Sequence, residues 1–143
     1  MHISTLALPL LSLLGSASAA PNKSPRDTTT TLSARADFHP GWCGVHVAQT
    51  VAANQDDWLI TARIFDGEQV PMGNVAGEYV PGDGSIQIKS DVPERLEIIP
   101  RRDAVSFRYG GDEWKSTNDR CSMGKWDGPE GMKIRHMDCG FNC

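Results

Sequence analysis

Short alternating runs of apolar and polar residues, cut by Gly, Pro and Asp, fill the chain from residue 42 to its end. A period of two puts alternate side chains on opposite faces of a strand. In Trp42–Val51 it sets Cys43, Val45 and Val47 on one face against Gly44, His46 and Ala48, so His46 points away from the apolar set. Trp58–Phe65 is the clearest strand, with Trp58, Ile60, Ala62 and Ile64 facing inward and Thr61 and Arg63 facing out. Asp66-Gly67 predicts a hairpin turn into Gln69–Met72, and Gly77–Val80 reads as a separate extended piece ended by Pro81-Gly82-Asp83-Gly84. Ser85–Lys89 turns Ile86 and Ile88 inward, and Arg95–Ile99 alternates between Pro93 and Pro100. Ala104–Tyr109 sets Val105, Phe107 and Tyr109 against Ser106 and Arg108, before Gly110-Gly111 turns the chain into Asp112–Ser116 with Trp114. There is no internal repeat and no heptad pattern. Residues 48–57 have tolerable helix composition and supply the one alternative, an α+β domain. About seven to nine short strands, turning roughly every ten residues, predict an all-β fold: an antiparallel β-sandwich or small barrel.

The closing stretch, Cys121–Cys143, holds three of the 4 cysteines. Its centre, Asp127-Gly128-Pro129-Glu130-Gly131, is turn chemistry flanked by Trp126 and Met132. It predicts a β-hairpin with a loop of about five residues. Counting outward from that loop brings Cys121 nearly opposite Cys139 and leaves Cys143 for Cys43. The competing pairing, Cys43 with Cys121 and Cys139 with Cys143, needs a tight bridge across three intervening residues. Closing the long loop from Cys43 is worth on the order of 4 kcal/mol in the chain-entropy model.

The start of the chain has another character. Leu6 to Leu14 is an apolar run of signal-peptide length and Ala17-Ser18-Ala19 a small-x-small cleavage site, so residues 1–19 read as a signal peptide. Residues 20–37, rich in Pro, Ser and Thr, read as a disordered pro-segment or N-terminal tail, with Arg35 a processing point and Asn22-Lys23-Ser24 a sequon weakened by Pro25. The β domain is then 38–143, in an oxidising compartment where four cysteines imply two disulfides. No later apolar run approaches the roughly eighteen residues of a membrane span. Of 14 basic and 18 acidic residues, the first 35 carry Lys23, Arg26, Arg35 and Asp27. That leaves 11 against 17, a net charge of −6, which disfavours nucleic acid and anionic lipid as partners. Arg95, Arg101, Arg102 and Arg108 read as exposed strand and turn positions in preference to a basic patch.

Catalytic and metal signals are sparse. His39, His46 and His136 show no pairing with Cys or His at zinc-site spacing, and secretion makes Cys139 and Cys143 disulfide partners before metal ligands. No metal and no cofactor are expected. A secreted ribonuclease would need a base, an acid and an Arg, for which Glu97, His136 and Arg135, or His46 with Glu113, are the candidates. Asp56-Asp57 and Asp112-Glu113 are adjacent carboxylates that diverge on a strand, while Asp83 and Asp127 lack the further oxygens calcium wants. Aromatic side chains near strand ends point to binding, and a wall-carbohydrate or antimicrobial binding module, which needs Trp114 and Trp126 exposed on one flat face, stands as an alternative beside the ribonuclease. Trp58 and Trp42 are expected to be buried, whereas Trp114 and Trp126 are left as contact residues beside the charged loop positions Asp127, Glu130, Lys133 and Arg135.

Trp42-Cys43-Gly44-Val45-His46-Val47, Phe107-Arg108-Tyr109-Gly110-Gly111 followed by Trp114, and the closing Asp138-Cys139-Gly140-Phe141-Asn142-Cys143 together resemble small cysteine-rich secreted proteins of ascomycete fungi. That group includes effector candidates and elicitors of the plant hypersensitive response. The resemblance covers most of 42–143 and rests on cysteine and glycine positions. It implies a secreted β fold that acts on a host protein or cell-wall glycan without catalysis.

Overall fold

Nine strands account for most of the residues that the computed structural model describes, 37–54 and 56–143. The expected signal peptide and most of the expected tail lie outside these residues. In chain order the strands are β1 (Trp42–Val51), β2 (Trp58–Phe65), β3 (Pro71–Val80), β4 (Ile86–Ile88), β5 (Leu96–Ile99), β6 (Ser106–Tyr109), β7 (Asp112–Lys115), β8 (Cys121–Met123) and β9 (Ile134–Asn142). They form two antiparallel sheets, ordered β3-β2-β1-β9-β8 and β4-β5-β6-β7. The fold is all-β, as the alternation implies.

The period-two pattern becomes the two sides of the sheets. Val45, Val47, Ile60, Ile64, Met137 and Phe141 of the larger sheet share one buried cluster with Ile88, Leu96, Ile98, Phe107 and Trp114 of the smaller. Aromatic contacts cross between the sheets: Trp114 stacks on Phe141 at 5.6 Å between centroids, and Tyr109 meets the same ring at 4.8 Å. Removing a fully buried ring such as Phe141 costs about 3–5 kcal/mol through lost transfer energy and the cavity left behind.

Two elements differ from the sequence expectation. The pieces 69–72 and 77–80 are one strand, β3, and the apparent break between them is absorbed by register shifts against β2, between Ile60 and Ala62 and between Ile64 and Phe65. Gly77 takes φ 62° there and its N–H donates to Thr61 Oγ1 at 2.9 Å, while Gly73 lies so close to Ser90 that a Cβ would collide with it. A bulge flanked by glycines looks like a break in sequence yet keeps the strand paired. Residues 48–51 continue β1, and the turn after them is closed by Ala52 N–H donating to Asp57 O at 2.9 Å, with Asn54 Oδ1 accepting from Asp57 N–H. There is no helix among the described residues, and so none long and apolar enough to cross a membrane.

All four cysteines are bridged, Cys43 to Cys143 with Cα atoms 5.8 Å apart and Cys121 to Cys139 at 4.1 Å. The second joins directly opposed residues of β8 and β9. The disulfide pairing is the one the hairpin count favoured, but the tip differs, its loop being closed by Asp127 and Ile134 and not by Trp126 and Met132. There Asp127 and Ile134 exchange both backbone hydrogen bonds at 2.8 Å, and the turn spans 128–133 with Gly128 and Gly131 at positive φ.

Candidate functional site

Of the residues singled out for binding, the fold uses two internally. Trp114 is 3% exposed, stacked between Phe107 and Phe141 and covered by the Arg120 guanidinium at 4.6 Å. Arg135 is also 3% exposed, because it sits on the inward phase of β9 directly opposite Gln49 of β1. Its Nε donates to Gln49 Oε1 at 2.9 Å, and its Nη atoms donate to the carbonyls of Arg101 and Asp103 at 2.9 and 3.3 Å. Burial pulls its pKa below the usual range, while the Asp103 charge pulls the other way. Trp126 packs partly buried on Trp58 and stacks over Arg135, 4.4 Å from the guanidinium carbon. Asp127, Glu130 and Lys133 are exposed at the hairpin tip beside Met132, which is 67% exposed.

The hydrolase candidates do not assemble as the sequence suggested. Glu97 and Glu113 flank Arg108 on the outer face of the smaller sheet, at 3.4 and 3.0 Å, with Ser85 Oγ donating to Glu97 at 2.6 Å. Arg108 is thereby held above its usual pKa, first by the Glu113 hydrogen bond. Arg95 pairs with Gln87, and Arg101 donates to the carbonyls of Gly82, Asp83, Gly84 and Pro100. His46 and His136 lie on the other sheet.

That outer face, of the five-stranded sheet, gathers the chemistry. The strand register lays Asn74, Arg63, His46, Asp138 and Ser122 in one row across β3, β2, β1, β9 and β8. His46 Nδ1–H donates to Asp138 Oδ1 at 2.7 Å. His46 Nε2 then faces His136 Nδ1 at 3.3 Å, with ring centroids 5.5 Å apart. An open groove brings together His46, Thr61, Arg63 and Asn74. Two residues along the β1–β9 ladder, Gly44 opposes Gly140, and the Trp42 indole lies on Gly140 so closely that a Cβ there would collide with it. Trp42, expected in the core, is 54% exposed. Its phase explains this: Cys43 takes the inward position and Trp42 the outward one, where a glycine gives the ring a floor. A shallow trough beside it is lined by Gln69, Arg120, Ser122 and Asp138.

A second polar cluster fastens the first described residues. Asp66, buried, accepts from the His39 ring at 2.9 Å and from the N–H groups of His39, Glu68 and Val70. Burial opposes ionisation of Asp66, but these donors outweigh it and hold the carboxyl below its usual range. His39 is raised, chiefly by its bond to Asp66. Among the described residues no group of three or more His, Cys, Asp or Glu is arranged to hold a metal.

Comparisons with family models, curated proteins and solved structures return no match. The geometry above carries the functional argument.

The sequence signal for this face was present but divided. His46 and His136 are 90 residues apart, Trp42 precedes the first inward position, and only the β1–β9 register joins them.

Proposed function

We propose that this is a secreted, non-catalytic binding protein of the effector or elicitor type, which engages a host-surface partner through the outer face of its larger sheet. One observation carries the reading: an exposed indole held against Gly140, two residues along the ladder from the His46–Asp138 pair, on a sheet stapled near its edge and at its terminus. An indole face stacks on apolar C–H surface, while imidazole, carboxylate, guanidinium and amide groups meet hydroxyls. The occupant that combines both is a cell-wall glycan. A rigid scaffold loses little entropy when such a ligand docks. The leader-like composition of residues 1–19 and the two disulfides, which persist in oxidising compartments, support secretion.

A second reading has an observation of its own. Asp138, His46 and His136 form a hydrogen-bonded chain on the face that also carries Arg63, directly opposite His46, and such a chain could shuttle a proton in phosphodiester cleavage. Purified oxidised protein infiltrated into leaf tissue at micromolar concentration, beside a reduced and alkylated control, tests the first reading. It predicts cell death or an oxidative burst that reduction abolishes, together with depletion of the protein by insoluble wall glycan. RNA cleavage lost on His136→Gln would instead establish the second.

A further inference from the structure

The histidine pair on the outer face supports more than polymer binding. We infer that His46 and His136 form a two-histidine site for a divalent transition metal of the zinc type, with Asp138 as the group that orients His46.

The two nitrogens that face each other, His46 Nε2 and His136 Nδ1, are 3.3 Å apart. Two ligands on one tetrahedral zinc, each at about 2.0–2.1 Å, stand roughly 3.3 Å from one another, whereas adjacent ligands of a square-planar ion come nearer, at about 2.8 Å. Asp138 accepts from His46 Nδ1–H at 2.7 Å, which fixes the tautomer that leaves Nε2 with its lone pair. That carboxylate–imidazole arrangement is the second-shell device that makes a histidine a better ligand. With centroids 5.5 Å apart the rings meet edge to edge, and each must swing by about 35° for its lone pair to converge on a shared metal off the N–N line. Both side chains are partly or largely exposed, so the swing is open to them.

Other groups border the pair. Arg63 of β2 lies directly opposite His46 and Ser122 of β8 directly opposite Asp138. The Arg63 cation opposes a metal cation, so affinity is lower than the imidazoles alone would give. Two protein ligands leave the remaining positions to water or to an oxygen of a bound partner. The inference is independent of the binding reading above, since it concerns the free protein.

The test is calorimetric titration of the oxidised protein with ZnCl2, with CuCl2 as comparison and the thermal midpoint followed in parallel. The expected result is one saturable zinc per chain. Both His46→Gln and His136→Gln should weaken it by at least about tenfold, Asp138→Asn by about 10–100-fold, and Arg63→Gln should strengthen it. His39→Gln, at the rival His39–Glu68 cluster, should leave it unchanged. His136→Gln is an exposed substitution, and an unchanged thermal midpoint without zinc shows that it still folds. No saturable binding, binding unaffected by either histidine variant, or binding lost only with His39→Gln would overturn the assignment.

Discussion

Arg135 offers the sharpest test of how the interior is built. Truncation to Ala removes three donated hydrogen bonds, to Gln49 Oε1, Arg101 O and Asp103 O, and the stack on Trp126. Each acceptor left unsatisfied in a buried setting costs about 1–3 kcal/mol. Arg101 O keeps the Gln49 amide donor at 3.1 Å, and residues 101–103 are exposed enough for water to reach their carbonyls, so the sum falls toward the low end of that range. The cation–π contact adds about 0.5–2 kcal/mol. Arg135→Ala should therefore destabilise the oxidised protein by about 2 kcal/mol. Arg135→Lys, which keeps the charge but loses the planar fork, should cost less. Lys133→Ala, two residues away at the exposed tip, should stay within about 0.5 kcal/mol of the parent. Urea unfolding followed by tryptophan fluorescence gives all three, provided the slope is unchanged. Equal stabilities for Arg135→Ala and Lys133→Ala would refute the reasoning and return Arg135 to the surface.

Three further outcomes follow from the same geometry. Replacing Cys43 and Cys143 by Ala should cost about 4.7 kcal/mol in the chain-entropy model, against about 3.2 for Cys121 and Cys139, because the first pair closes a sequence separation of 100 and the second one of 18; urea midpoints in the reverse order would contradict it. The His39–Asp66 bond should make stability pH-dependent. A raised His39 contributes below its ordinary value of 6.5 and loses that contribution as pH rises through the raised value, while a lowered Asp66 contributes above 3.8 and loses it as pH falls through the lowered value. The deficit of His39→Gln relative to the parent should thus be largest between about pH 4 and 6.5 and shrink at pH 8.5, and urea titrations showing a deficit that grows above pH 7 would sink the assignment. Gly140→Ala should push the Trp42 indole off its floor, seen as a red-shifted emission with the fold retained, and an unchanged spectrum would show that the ring does not rest there.

Strand existence was legible wherever alternation was clean, as at Trp58–Phe65 and Ala104–Tyr109, because burial on one face leaves a period-two record. The disulfide pairing was legible because a hairpin turn fixes which residues oppose each other. Continuity of β3 was hidden because 73–76, between the two pieces read as extended, lacks clean alternation, and the irregular pairing with β2 that carries the strand through leaves no sequence signal. Arg135 was misjudged for a different reason. A charged residue on an inward phase is visible in the alternation with Met137 and Cys139, but its acceptors are carbonyls of a distant loop, which carry no sequence signal. The outer face required the pairing of β1 with β9, which joins the two ends of the domain and leaves no trace in local spacing.

In the proposed mode of binding the outer face of the larger sheet, and not the hairpin tip alone, makes the contact. The direct measurement is depletion of oxidised protein by insoluble plant cell-wall glycan, compared among the parent, Trp42→Ala and a tip variant with Asp127, Glu130 and Lys133 replaced by Ala. With its indole 54% exposed, Trp42→Ala should keep its thermal midpoint and lose binding by about tenfold or more, while the tip variant stays within a few-fold of the parent. Full retention of binding by Trp42→Ala, with loss in the tip variant, would contradict the claim and place the contact on the charged loop.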